Sequence, residues 1–449
     1  MLVLRNVRPW GLAVVDVALA GGRIAAIGTA LPPGAEEIDG RGDLLLPGLH
    51  DHHLHILATA ARRRSVSLAG LVSEAAVSAA LRAAPGDALR AVDYDERAAG
   101  LPDAALLDRW EPVRPLRLAD RTGALWVLNS AALALLGDQP LPPGAERGAQ
   151  GHATGRFWRE DAWLRAALPS APPDLAGLGA ELAALGLTAL TDATAHNGPD
   201  EAALLVGRLP QRLTLMGAEA LGEGTGYTRG ALKLLIDERD PPAPDVLAAR
   251  IGGARAQGRA VAAHCVTEGE LALYLAALEL AGGARPGDRV EHGGLVPPAF
   301  VPMLAAAGLT VATNPAFIHA RGERYRAEVP MAQWDWLYPA ASLARAGAAL
   351  LGGSDAPYAP LDPWLAMRAA RDRLTAAGYP LGLDQRLNAL AALRLYCRGE
   401  IAPGAPADLV LCSGSLADVL GDLSAERVRL TVIGANVAFN RAAAASPRQ

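Results

Sequence analysis

Residues 44–55 read Leu44-Leu45-Leu46-Pro47-Gly48-Leu49-His50-Asp51-His52-His53-Leu54-His55, an apolar run that ends in four imidazoles and a carboxylate. Side chains in a strand alternate faces, so Asp51, His53 and His55 share one face and His50 and His52 the other. Two imidazoles at i and i+2 near the end of a buried strand can converge on one point, as first-row metal ligands must. His53 and His55 are therefore candidate metal ligands. His50 and His52 are expected to pack against helices.

Working outward from this strand, the middle of the chain alternates short apolar runs with Ala/Leu-rich stretches, the pattern of a parallel α/β architecture. Candidate strands lie at 44–55, 187–195, 212–219, 231–238, 259–265, 288–293, 309–315 and 349–356, with helices such as 269–281 and 364–376 between them. Eight such units predict a (β/α)8 barrel. The count sets residues 61–175 aside as an insertion after the first strand. That segment has its own turn cluster, Pro140-Leu141-Pro142-Pro143-Gly144, and its own strand-like runs near 88–94 and 114–119. Both ends of the chain are β-rich and predict one composite β-sandwich. The expected organisation is a sandwich from 1–44 and 397–449, a barrel from 45–60 and 176–396, and an insertion or lid over 61–175. The tail from Ala442 to Gln449 is low in complexity and is expected to fray.

Four more residues fall in, or at the C-terminal ends of, later candidate strands: Lys233 in the fourth, His264 in the fifth, His292 in the sixth and Asp355 in the eighth. A barrel gathers those strand ends on its catalytic face. Together with His53 and His55 they make a set able to hold two metals. Lys233 stands out further, because it is the single lysine against 41 arginines. Arginine stays protonated, whereas a desolvated lysine can become a neutral amine.

Composition narrows the partners. The 449 residues are 51% hydrophobic and 20% charged, which permits a large core and excludes global disorder. Net charge is −5 and the longest basic run is Arg62-Arg63-Arg64, a poor match for nucleic acid. That run is expected to be a solvated helix face. Cys265, Cys397 and Cys412 are scattered and suggest no disulfide framework. The N-terminal stretch lacks a continuous apolar segment of signal-peptide type, and no run is long enough to span a membrane. A cytoplasmic location is expected.

Residues 47–55, His264, the Glu291-His292 pair and Gly353-Ser354-Asp355 resemble the amidohydrolase superfamily. The nearer likeness is to its amidohydrolase-3, YtcJ-like branch, carried by Trp126-Val127-Leu128-Asn129-Ser130-Ala131-Ala132-Leu133, Gly151-His152-Ala153-Thr154-Gly155-Arg156 and residues 401–409. One departure is Ala124-Leu125, where many members have His-Ser or His-Ala before the Trp. The resemblance implies a metal-dependent hydrolase of non-peptide C–N bonds, a small-molecule substrate and a homodimer. It also implies two divalent ions, Zn by preference, bridged by a Lys233 carbamate formed from CO2. His53, His55 and Asp355 would hold one ion, and His264 and His292 the other. A bridging hydroxide would attack a small amide or cyclic amide, Asp355 would carry the proton to the leaving nitrogen, and Asp51 would hold an imidazole tautomer.

Asn129, Arg156, Trp158, Asn314, His319 and Tyr358 fall in segments expected near the barrel mouth and are candidate substrate contacts. Three alternatives stand beside this: an aminohydrolase-type deaminase, an ester or lactone hydrolase, and an inactive binding homologue. Deaminases of the superfamily resemble one another in having Glu three residues after the fifth-strand His; here that position is Thr267.

Overall fold

The computed structural model describes residues 1–10, 12–168, 173–238 and 240–444. Residues 445–449, most of the tail expected to fray, lie outside it. The chain divides into two compact units, Met1–Ile56 with Leu175–Gln449, and Leu57–Asp174.

The first unit contains a parallel barrel of eight strands: β1 (Leu49–Leu54), β2 (Leu187–Asp192), β3 (Arg212–Gly217), β4 (Thr228–Leu234), β5 (Val261–Cys265), β6 (Arg289–His292), β7 (Thr310–Thr313) and β8 (Ala349–Gly352). They pair in sequence from β1 to β8. The chain beyond β8 returns to β1: Asp355 N donates to His53 O at 2.7 Å and His55 N to Ala356 O at 2.8 Å. This near-closure requires Gly353, where a Cβ would lie 2.4 Å from His53 Cβ. The strands are shorter than the sequence pattern suggested, because polar residues such as Thr194, Glu238 and Ser354 belong to the loops that follow them.

One expected strand is two. Residues 44–55 break at Gly48 into Leu44–Pro47, which pairs antiparallel with Leu409–Cys412, and β1. Proline has no N–H to give a ladder, so the run changes sheets there. Gly48 also permits a close approach, since a Cβ would fall 2.0 Å from Thr188 Oγ1.

The two chain ends build a composite β-sandwich. Leu2–Pro9, Val15–Ala20, Arg23–Gly28 and Glu36–Asp39 form one half; Leu44–Pro47, Leu409–Cys412, Val428–Ile433 and Asn436–Asn440 form the other. Inward residues of both halves, among them Leu4, Val17, Ile24, Leu45, Leu409 and Val432, share one core. Arg5 ties three strands of the first half together through Asp16 at 2.7 Å and Glu37 at 2.6 Å.

The second unit is built on a six-stranded sheet ordered Ala145–Arg147, Ala153–Trp158, Leu125–Leu128, Leu116–Asp120, Leu89–Tyr94 and Val66–Ser67. One core gathers Tyr94, Trp110 and Leu118; another gathers Trp126, Phe157 and Leu164. Among the described residues no helix is long and apolar enough to cross a membrane.

Candidate metal centre

Barrel register carries the chemistry to one end of the sheet. His264 aligns with Glu291, Cys265 with His292, and Lys233 with Ala262. His53 Nε2 lies 3.4 Å and His55 Nε2 3.2 Å from Asp355 Oδ1. His53, His55 and Asp355 each offer one ligand atom within 4.8 Å of the others. Beside them, His264 Nδ1 and His292 Nε2 are 3.0 Å apart. The His53 and His292 rings are 4.5 Å apart, so the two groups adjoin. Lys233 Nζ lies 4.0 Å from Glu291 Oε2.

Three of the four imidazoles are held by their other nitrogen. His53 Nδ1 pairs with the Glu291 carboxylate, which Arg289 clamps from below at 2.7 Å. His55 Nδ1 pairs with Thr194 Oγ1 at 2.9 Å, and His292 Nδ1 with Asn314 Oδ1 at 2.8 Å. Asp192 fixes the Thr194 loop by accepting from the backbone N–H groups of Ile56 and Thr194 and from the Asn197 amide. Such partners set the tautomer and leave the remaining nitrogen available to a metal.

Asp51 does a different job from the one expected of it. Its Oδ1 accepts from the backbone N–H of His53 and of Ser354, so it staples β1 to the chain beyond β8 and, among the described residues, hydrogen-bonds no imidazole. Burial pushes this carboxyl up to about 6. His50 and His52 stack with ring centres 3.8 Å apart, and His50 Nε2 pairs with Thr191 Oγ1.

Glu291 and His292 are consecutive in β6, yet both come close to His53. Strand alternation would separate them. The left-handed backbone of His292, φ 73°, turns its side chain inward, and Asp355 sits at φ 56°. Non-glycine residues in this region hold about 1–3 kcal/mol of strain each and persist where the surroundings over-determine them.

Burial and neighbouring charge set the protonation states. Burial holds His264 down to about 4 and His292 well below the imidazole range, the neutral form that ligates metal. Burial likewise lowers the Lys233 amine. Against burial, His53 and His55 hold Asp355 well below the usual carboxylate range. Glu291 is held low in the same way by Arg289, Lys233 and His53. His53 rises: burial and Lys233 oppose its protonation, but Glu291 and Asp355 outweigh them.

The donors fit a divalent ion. His53 Nε2, Asp355 Oδ1 and Lys233 Nζ are buried and, among the described residues, lack hydrogen-bond partners. Three such orphans at one spot are expensive unless something else satisfies them.

The sequence of this chain matches the amidohydrolase family over residues 36–439. The chain belongs to that family. It is 26% identical to an N-substituted formamide deformylase of Arthrobacter pascens, over 85% of this chain and 84% of the relative. It is 25% identical to the putative amidohydrolase YtcJ of Bacillus subtilis, over 91% of each chain, in keeping with the amidohydrolase-3 branch. Its fold is similar to that of an uncharacterised metal-dependent hydrolase from Pyrococcus horikoshii, at TM-score 0.72 and 19% identity, covering 92% of this chain and 97% of that one. As an amidohydrolase it is a metal-dependent hydrolase of C–N bonds other than peptide bonds, acting on a small molecule.

The expected substrate contacts divide. Asn314 serves His292, and its amide donates to Gly353 O at 2.9 Å. The Tyr358 ring stands edge-on to His55 at 5.6 Å and is 40% exposed. His319 lies on the helix Ala316–Ala320. In the second unit, Asn129 is fully buried and caps the helix Ser130–Ala134, with its amide on the Glu111 and Arg114 carbonyls. Arg156 pairs with Glu146 and the Pro102 carbonyl, and Trp158 is 40% exposed. Thr194 and Arg289 were not singled out from the sequence. A Thr two residues beyond a strand and an Arg three before a His carry no spacing signal of their own.

Proposed function

We propose that this amidohydrolase holds two divalent ions and hydrolyses a small amide or cyclic amide. His53, His55 and Asp355 would hold one ion and His264 with His292 the second, Zn suiting their nitrogen and oxygen donors. Lys233, carbamylated by CO2, would bridge them. The observation that carries the reading is the orphaned, buried Lys233 Nζ, 4.0 Å from the Glu291 carboxylate that pairs with His53. Only a neutral amine adds CO2, and burial favours that form. When bound, such ions acidify water toward neutrality and polarise a carbonyl.

The chain's own residues then divide the work. Glu291, Thr194 and Asn314 hold the imidazoles in register, so no reorganisation accompanies the reaction. Asp355, ionised and facing His53 and His55, accepts the proton of the attacking water. As the C–N bond breaks it delivers that proton to nitrogen, since an amine anion leaves poorly. The deaminase alternative is weakened at Thr267, whose side chain caps the helix Glu268–Leu280 and bonds Glu238. A cytoplasmic homodimer completes the proposal.

The test is metal per chain by elemental mass spectrometry, on protein purified in bicarbonate without chelator. About two ions are expected, falling when Lys233 is changed to Ala, with hydrolysis of N-substituted amides lost in parallel. One ion, unchanged by that substitution, would remove Lys233 from the site.

A further inference from the structure

Two of the candidate ligands, His292 and Asp355, have left-handed backbone, φ 73° and 56°. Such turns persist only where the surroundings over-determine them. Between the two lies the peptide that joins Gly353 to Ser354, and buried side chains grip it at both ends. Its carbonyl accepts from Asn314 Nδ2 at 2.9 Å, with the Tyr396 hydroxyl further off at 3.5 Å. Its N–H donates to Asp51 Oδ1 at 3.0 Å. Asn314 and Asp51 are both fully buried. Asp355 is the residue after this peptide, and its own N–H donates to His53 O.

Each grip continues to a candidate ligand. Asp51 Oδ1 also accepts from the His53 N–H at 3.1 Å, and Asn314 Oδ1 meets His292 Nδ1 at 2.8 Å. The polarity of this chain of bonds has one solution. A backbone carbonyl only accepts, so the Asn314 amide turns its NH2 to Gly353 and its oxygen to His292. That oxygen also only accepts, so a hydrogen of His292 sits on Nδ1. In the neutral ring Nε2 is then bare, and it faces His264 Nδ1 at 3.0 Å. Turned over, the amide would set its oxygen against the Gly353 carbonyl in a place closed to solvent, leaving buried acceptors unpaired.

We infer that Asn314 is a positioning residue and not a substrate contact: with Asp51 it clamps the Gly353–Ser354 peptide, so that one hydrogen-bonded bar sets both the His292 tautomer and the pose of Asp355. The bar runs from the His53 N–H through Asp51, the peptide and Asn314 to the His292 ring, and so ties one imidazole group to the other. Thr194 holds an imidazole alone; Asn314 holds an imidazole and also the turn that presents Asp355. That this pose serves proton transfer rests on the function proposed above, whereas the clamp itself does not.

The experiment uses the full chain, labelled with 15N and stripped of metal, so its failure and that of the two-ion proposal are read separately. Long-range 15N–1H spectra of the nine histidines report the His292 tautomer, assigned by the signals lost in His292→Gln. Hydrogen exchange reports the Ser354 amide. The parent is expected to show His292 in its Nδ1–H form and a slow Ser354 amide. Asn314→Leu should move His292 to the Nε2–H form and speed exchange at Ser354 at least tenfold. Asn314→Asp keeps an acceptor for His292 but sets a second oxygen against Gly353, so it should keep the tautomer and still speed the exchange. Asp51→Leu should speed it as well, and the Asp51→Leu, Asn314→Leu double variant should fall short of the product of the single effects, since both side chains grip one peptide. Thr191→Val removes the partner of His50 and should leave both readouts at parent values. An unmoved His292 in Asn314→Leu, equal exchange gain in Thr191→Val, or single effects that multiply in the double variant would overturn the clamp. Should Asn314→Leu fail to fold, Ser354 exchange in Asn314→Asp decides.

Discussion

Glu291 shows how a residue that ligates nothing governs a site. Its carboxylate joins His53, Arg289 and, at 4.0 Å, Lys233, all within the barrel. Glu291→Gln keeps the shape and removes the charge that fixes the His53 tautomer. Loss of such a partner typically reduces metal affinity or activity about 10- to 100-fold. The measurement is metal content together with kcat/KM, and unchanged values for both would deny the positioning role. In the sequence, spacing marks the i, i+2 histidines, whereas His264, His292 and Asp355 stand out only by their places at the ends of candidate strands. Glu291 was legible only as a neighbour of His292. Its work depends on a pairing across the barrel and on a backbone turn at His292 that no local pattern announces.

At the level of elements, the sequence pattern located all eight barrel strands but missed the change of sheets at Gly48. Pro47 and Gly48 sit inside an apolar run, and periodicity does not register a break that leaves both sides buried. Gly48→Ala would drive a methyl into Thr188 and is expected to destabilise the protein by about 1–3 kcal/mol. Adding Thr188→Ala should recover most of that, as read by urea midpoints; no recovery would place the strain elsewhere.

In the terminal sheet, Arg5 lowers the carboxyls of Asp16 and Glu37 below their ordinary 3.8 and 4.5, overcoming burial at Asp16. Depressed carboxyls stabilise the folded state above those ordinary values, and the benefit disappears as pH falls through the lowered ones. The gap in urea midpoint between the parent and Arg5→Met should therefore be full near pH 7 and shrink below about pH 4. A gap independent of pH would assign the effect to packing of the arginine stem.

For the molecule as a whole, metal and stability should be linked. The candidate ligands come from β1 and the residue after it, β4, β5, β6 and the chain beyond β8, segments far apart in sequence, so bound ions would cross-link the barrel end. A ligand at a hundredfold excess over its Kd stabilises by about 2.7 kcal/mol. Removing metal with a chelator should lower Tm, and Zn should restore it in a concentration-dependent way; an unmoved Tm would argue against this cluster as the metal centre. The barrel itself was legible because its strands are short, apolar and evenly interrupted. The insertion was legible only as a disturbance of that rhythm, since a second sheet with its own cores shares the same apolar vocabulary.

The solitary lysine has a consequence independent of catalysis. Its side chain is 3% exposed, so the described surface presents no ε-amine to solvent. An amine-directed reagent meets that side chain only when the barrel opens. Its labelling rate becomes a clock for barrel opening, read at one peptide by mass spectrometry.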